Sequence, residues 1–294
     1  MATQTSSLGN LEYAQNTVIA KARFTAESEA PCKALVEHFT LGKGQSTLRI
    51  PDVGQATMAN LVDGVDIVDT QDIGLNYTDL TTGEVGGKFI LTRKLIDQFN
   101  EEIFAMIGRQ LGEGMARKVD EDIIALFSAL NGGTTLGADN INFSLRNAMA
   151  VVAFARANLY PNPLNIVHHP NALSLLTRSI VGVGASYYQG IISSQQEANL
   201  RKFWRANIDG ANLFMDANID KIAGADSGYG AIFGSGCMAY LSGWEPEIER
   251  EKDISLRAWE VVMTSDYGVY EIKDTYGAPL RYEIGNLSTS STST

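Results

Sequence analysis

The side chains best suited to chemistry are few and scattered. Histidine occurs three times, at His38, His168 and His169, and cysteine twice, at Cys32 and Cys237. His168 and His169 stand together at the end of Leu164-Asn165-Ile166-Val167-His168-His169, which reads as a strand. Successive strand residues point to opposite faces, so this pair does not offer two imidazoles to one metal ion. Neither has a helical i, i+4 partner of the kind a zinc site uses. The cysteines lack any C-x-x-C partner and read as buried thiols. Gly234-Ser235-Gly236 is too short for a nucleophile elbow and reads as turn chemistry. Gly182-Val183-Gly184 and Gly228-Tyr229-Gly230 begin a dinucleotide fingerprint without completing it, and no GxxxxGK[ST] phosphate loop occurs. Asp120-Glu121-Asp122 is expected on the polar side of a helix, solvated or paired with Arg117 and Lys118. The reading is therefore no catalytic, cofactor-binding or metal site. An enzyme using His168 or His169 stands as the catalytic alternative.

Composition narrows the class further. The chain has 294 residues, enough for one or two domains with a sizeable core, and a formal net charge of -11. That charge argues against a nucleic-acid reader, which carries a basic patch. It is compatible with a protein that encloses nucleic acid without gripping it. No apolar run approaches membrane-spanning length, and the N-terminus lacks a secretory signal pattern, so synthesis in a cytoplasm is expected.

The elements that would position such residues centre on Phe89–Asn131, the longest helical pattern in the chain and free of proline. An apolar residue recurs at every fourth position: Leu91, Leu95, Phe99, Ile103, Ile107, Leu111, Met115, Val119, Ile123 and Phe127. A step of four exceeds the 3.6-residue turn, so this stripe advances by about 40° each time and winds around the helix. Such a helix must face different neighbours along its length, or bend near Gly108, Gly112 and Gly114. Thr92 suits its start, and Asn131-Gly132-Gly133 its stop.

Before the helix, residues 1–43 read as an arm without a core of its own. Residues 44–88 read as a long hairpin, with strands at Gly44–Pro51 and Ile73–Leu80. Asp52, Asp63, Asp66, Asp69, Asp72, Asp79 and Glu84 face a single Arg49, and no lysine stands between Lys43 and Lys88. A segment this long with so few core residues suits an arm that reaches onto a neighbouring molecule. After the helix comes an α/β region. Asn142 or Ser144 caps a helix from Leu145, Pro170 starts another, Ile180–Gly190 is a loop, and Gln195–Trp204 is helical. Ala211–Met215 and Gly230–Phe233 read as strands. Residues 238–284 read as all-β, with an exposed charged tip at Arg250-Glu251-Lys252-Asp253 and a hairpin joining Tyr267–Lys273 to Leu280–Glu283. The tail 285–294 is low-complexity and expected to be disordered.

This order of elements resembles the major capsid proteins of tailed double-stranded DNA phages, an α+β architecture of the Hong Kong 97 type (HK97-like). The likeness is carried by Leu41–Pro51, by Ala116–Leu126 at the end of the helix, and by Trp259–Ile272 with Tyr276-Gly277-Ala278. The resemblance implies an N-terminal arm (1–43), an extended loop (44–88), a peripheral domain (89–131 and 244–264) and an axial domain (132–243 and 265–284). It implies a virion structural protein that self-assembles in the host cytoplasm into hexamers and pentamers of an icosahedral head enclosing double-stranded DNA. It is expected to use no cofactor and no membrane. Implied partners are other copies of itself, a separate scaffolding protein, a portal and a decoration protein. Without a lysine in the extended loop, the covalent cross-link of some relatives is not expected. Candidate intersubunit residues are Asp52, Asp63, Asp66, Asp69, Asp72, Arg109, Arg117, Lys118, Arg250, Lys252 and Asp253. The alternative within the same fold is an encapsulin-like protein compartment.

Overall fold

The computed structural model describes residues 32–53, 58, 60, 63, 74–98, 102–182, 204–285 and 287. Among them, strands form three sheets. A six-stranded sheet has the order β5 (Leu136–Gly137), β12 (Gly277–Glu283), β9 (Ser227–Phe233), β6 (Leu164–His168), β8 (Ala211–Met215) and β7 (Trp204–Ile208). A four-stranded sheet has the order β1 (Glu37–Thr40), β10 (Met238–Asp253), β11 (Ala258–Glu271) and β4 (Gly83–Thr92). The third is an antiparallel hairpin of β2 (Thr47–Val53) and β3 (Leu75–Thr81).

The six-stranded sheet is mixed, with β6 parallel to β8 and antiparallel to β9. Every residue of β6 is buried, as its near-continuous apolar run requires of a strand covered on both faces. Ile166 and Ile232 face a core shared with helices α3 (Leu145–Ala157) and α4 (Pro170–Gly182). Val167, Ala231 and Phe233 face the opposite side and a second core. Of the two candidate caps for α3, Ser144 serves, its hydroxyl accepting the Asn147 N–H at 3.3 Å.

That second core is built around α2 (Glu102–Phe127), the spine, which follows the short α1 (Arg93–Gln98). The structure corrects the expected start of the long helix. Phe89–Thr92 belong to β4, paired with Ala258–Val261 of β11. The run Phe89-Ile90-Leu91 fits a strand as well as a helix, and the waiting edge of β11 decides it. Helical geometry ends at Phe127, and Asn131, Gly132 and Gly133 all take positive φ (55°, 60° and 75°) in the turn beyond.

The winding stripe matches what surrounds the spine. Near its start, Gly108 lies against Ile248 of β10 and Leu111 against Gly87 of β4. Farther on, Asp122 accepts the Tyr267 hydroxyl of β11 at 2.8 Å. At the end Phe127, fully buried, meets Phe233 of β9 with ring centroids 6.0 Å apart. One helix thus packs on both large sheets in turn, and burial of a side chain such as Phe127 contributes about 1.5–3 kcal/mol.

The hairpin has more core at its root than its composition suggests. Leu80 is buried with Ala239 and Leu241, and Leu48, Ile50 and Tyr270 pack around them. Polar contacts tie the root down: Thr82 Oγ1 donates to Asp266 at 2.6 Å, and Tyr270 donates to the Thr81 carbonyl at 2.8 Å. The stretch expected to be all-β from residue 238 onward opens with the long ladder of β10 and β11. The expected hairpin of Tyr267–Lys273 with Leu280–Glu283 does not form. β11 pairs with β10 and β4, whereas β12 pairs with β9 and β5 in the other sheet. Alternation marks a strand but not its partner. The expectations for residues 1–31, for 183–203 and for most of the tail fall outside the described residues; Ile180–Gly182, expected in a loop, instead close α4, and Trp204, expected to end a helix, instead opens β7.

Candidate functional site

Tertiary structure brings together three groups that the sequence keeps apart. Cys32 opens a single 3-10 turn (Cys32–Leu35), Asp120 lies in the second half of α2, and Asp216 follows β8. The Cys32 backbone N–H donates to Asp120 Oδ1 at 3.0 Å, and its thiol donates to Asp216 Oδ2 at 3.3 Å. Asn218 donates twice, from its side chain to Asp120 Oδ2 at 2.9 Å and from its backbone to Asp216 Oδ1 at 2.8 Å. The Asp216 N–H is held by the His168 carbonyl at 3.1 Å. Cys32, Asp120 and Asp216 are 0%, 0% and 2% exposed. Burial, then the neighbouring Asp216, pushes the Asp120 carboxyl up to about 8, and burial with both carboxyls pushes the Cys32 thiol up as well. This corrects the expectation that Asp120 is solvated. By position 120 the rotating stripe has turned this side of the helix toward the Cys32 segment and the turn after β8. The detectable signal was the winding itself; the identity of the neighbours was not in it.

His168 and His169 part company, as strand geometry requires. His168 is fully buried, its ring stacked on Phe143 at 5.8 Å and beside Tyr282 at 6.0 Å. Its Nδ1 accepts the His169 N–H at 2.9 Å, and burial pushes its pKa down to about 3. His169 instead accepts the Asn171 N–H at 3.1 Å in the first turn of α4. Both rings accept hydrogen bonds from the backbone around them.

The described charged residues among those expected at subunit contacts are spread over the surface. Asp52 pairs with Lys273 of its own chain at 3.1 Å, and Asp63 is exposed. Asp66, Asp69 and Asp72 lie outside the described residues. On the spine Arg109 is exposed, Arg117 is half-buried, and Lys118 pairs with Asp122 at 2.5 Å one turn on. Arg250 and Lys252 are exposed along β10. Asp253 closes the tip, accepting Ser255 N–H at 2.8 Å, its hydroxyl at 2.6 Å and Leu256 N–H at 3.1 Å. Those donors, led by the Ser255 hydroxyl, hold its carboxyl below the usual range. Beside these charges sit apolar side chains open to solvent: Trp244 and Ile248 on β10, Ile254 and Leu256 at the tip, and Phe89 and Ile90 on β4. No helix among the described residues is long and apolar enough to cross a membrane.

A surface of this kind, spread over an extended sheet and a hairpin, suits protein contacts more than small-molecule chemistry. The family model for phage capsid protein matches residues 77–278, from the second strand of the hairpin to the start of β12. The chain belongs to the phage capsid protein family. No curated protein matches it. Among solved structures, the mature capsid of bacteriophage PhiM1 is similar with a TM-score of 0.63 at 14% identity, covering 87% of each chain. A chain of Mycobacterium phage Che8 is similar with a TM-score of 0.58 at 14% identity, covering 95% of this chain and 92% of that one. The holo-SrpI encapsulin complex from Synechococcus elongatus PCC 7942 gives a TM-score of 0.63 at 10% identity, covering 99% and 95%. At these identities the likeness is one of fold, the HK97-like capsid fold. The chain is accordingly a phage capsid protein, a structural component of a virion head.

Proposed function

We propose that this capsid protein builds its shell as hexamers and pentamers that enclose double-stranded DNA, with each hairpin laid over an adjacent subunit. The observation that carries this reading is the division of labour around α2. One end of the helix closes a well-buried sheet, and the other supports a sheet that leaves large apolar side chains in solvent. In this reading residues 1–43 form the arm and 44–88 the overlapping loop. Residues 89–131 with 244–264 form the peripheral domain, and 132–243 with 265–284 the axial domain. The acidic loop meets Arg109, Arg117 and Lys118 of a neighbour, and the tip at Arg250, Lys252 and Asp253 meets its symmetry mates. Many weak contacts repeated around closed symmetry sum to a stable particle. The net charge of -11 offers few sites for phosphate neutralisation, so DNA is enclosed without being trapped on the wall. A scaffolding protein, a portal and a decoration protein are the further partners. The subunit is structural and catalyses no reaction.

The test is expression of the chain, with and without candidate scaffolding protein, followed by negative-stain electron microscopy. Closed shells are expected; monomers under every assembly condition would refute the reading. Replacing residues 54–74 by a short Gly/Ser turn should leave a folded subunit that assembles poorly. Unchanged assembly would remove the overlapping role from the hairpin. The likeness to an encapsulin over nearly the whole chain supports a second reading, a protein compartment. Particles from the native source that lack DNA and carry a protein cargo would favour it.

A further inference from the structure

We propose that Cys32, Asp120 and Asp216 form a divalent metal site, suited to Zn2+, that ties the Cys32 segment to the spine helix and to the turn after β8. Their candidate ligand atoms all lie within 4.8 Å of one another. A tetrahedral zinc ion, with bonds of about 2.3 Å to sulfur and about 2.0 Å to oxygen, sets such atoms about 3.5 Å apart. Cys32 Sγ already stands 3.3 Å from Asp216 Oδ2. The donor set is one thiol and two carboxylates, and the sulfur favours zinc over Mg2+ or Ca2+, which take oxygen ligands. The Asn218 side-chain amide, 2.9 Å from Asp120 Oδ2, would bring its oxygen to the fourth position by a half-turn.

Two features beyond proximity point to a cation. Asp120 and Asp216 are both buried, and the hydrogen bonds they accept from Asn218 and from the Cys32 backbone N–H come from neutral groups. Two buried carboxylates with neutral partners leave a deficit of positive charge that a dication meets. The ligands are also held from outside, as metal ligands commonly are. Asp216 accepts the Asn218 N–H and is anchored through its own N–H to the His168 carbonyl. On binding, the ion takes the place of the Cys32 thiol proton, which passes to solvent.

The test uses the full chain, stripped with a chelator and titrated with Co2+ and separately with Zn2+. The expected result is about one ion per subunit, a near-ultraviolet thiolate-to-cobalt charge-transfer band, and an unfolding midpoint raised by about 5 °C at saturation. Cys32→Ser should abolish the band and weaken binding at least about tenfold, and Asp216→Asn should weaken it similarly. Cys237→Ser removes the other thiol and should leave both readouts unchanged. No stoichiometric binding by the unmodified chain would overturn the site, as would a band that survives Cys32→Ser and vanishes in Cys237→Ser. Should Cys32→Ser fail to fold, the cobalt spectra of the unmodified chain and of Cys237→Ser decide the question by themselves.

Discussion

In the six-stranded sheet, β6 is buried from Leu164 to His168, with α3 and α4 on one face and the end of α2 on the other. In the four-stranded sheet, β10 is buried from Met238 to Ser242, where β1 flanks it, and then exposed from Trp244 to Lys252. Both sheets touch the same helix, yet one satisfies its apolar residues within the chain and the other does not. Trp244 and Ile248 remain 44% and 48% exposed, and Ile254 at the tip 82%. Covering such side chains with another subunit recovers about 25 cal/mol per Å2 of apolar area, before the cost of ordering them. The difference separates what the subunit needs to fold from what it keeps for assembly. The hairpin lies between these extremes: its root is packed on Leu80, Ala239 and Leu241, while Asp79 and Arg49 pair with each other in solvent.

The comparison breaks most visibly in the buried sheet. Ile166→Ala removes a fully buried side chain and should cost about 2–5 kcal/mol of subunit stability in urea unfolding. A subunit of unchanged stability that fails to assemble would invert the roles of the two sheets. Acid should act on the same sheet. His168 sits at about 3 when folded, against an ordinary value of 6.5. Above 6.5 both folded and unfolded chains keep it neutral. Between 6.5 and about 3 the unfolded chain takes up a proton that the folded chain refuses, so stability falls by up to about 1.4 kcal/mol per pH unit. His168→Gln should flatten that part of the pH dependence of unfolding, and an unaltered slope would show that the imidazole is not its source.

Substitutions on the open side should do the reverse. Arg109→Glu should change subunit stability by no more than about 0.5 kcal/mol while lowering the yield of assembled particles severalfold. Light scattering alongside urea unfolding separates the two, and loss of stability without loss of assembly would return the spine's charged side to an ordinary surface. The smallest effect is expected at the hairpin root. Lys273→Ala breaks the pair with Asp52, both partly exposed, and should cost about 0.2–1 kcal/mol. A larger loss would mean that the hairpin is anchored chiefly by charge and not by Leu80.

Several elements were legible because their signals are local. Ser144 before an apolar-periodic run, Pro170 after the His168-His169 pair and the glycines after Asn131 mark boundaries through backbone chemistry that acts within a few residues. The strands at Ala211–Met215 and Gly230–Phe233 were likewise readable from alternation. Phe89–Leu91 misled because an apolar triplet carries no period of its own. Tyr267–Lys273 and Leu280–Glu283 misled because pairing is a long-range choice, and adjacent strands here enter different sheets. The cluster of Cys32, Asp120 and Asp216 had no local signature. Each residue is unremarkable in its own segment, and Asp120 sits in a charged run that reads as solvated.

By itself the sequence determined the kind of molecule: an acidic hairpin, a helix whose four-residue stripe cannot rest on one surface, an α/β region and closing strands. It also determined that His168 and His169 face apart, because strand geometry leaves no alternative. The tertiary structure decided which surfaces the winding stripe meets, where the helix gives way to β4, and which of the spine's carboxylates leaves water. Those outcomes depend on contacts between residues far apart in the chain. Local propensity sets how a segment can fold, whereas burial and pairing energies are settled when distant segments meet.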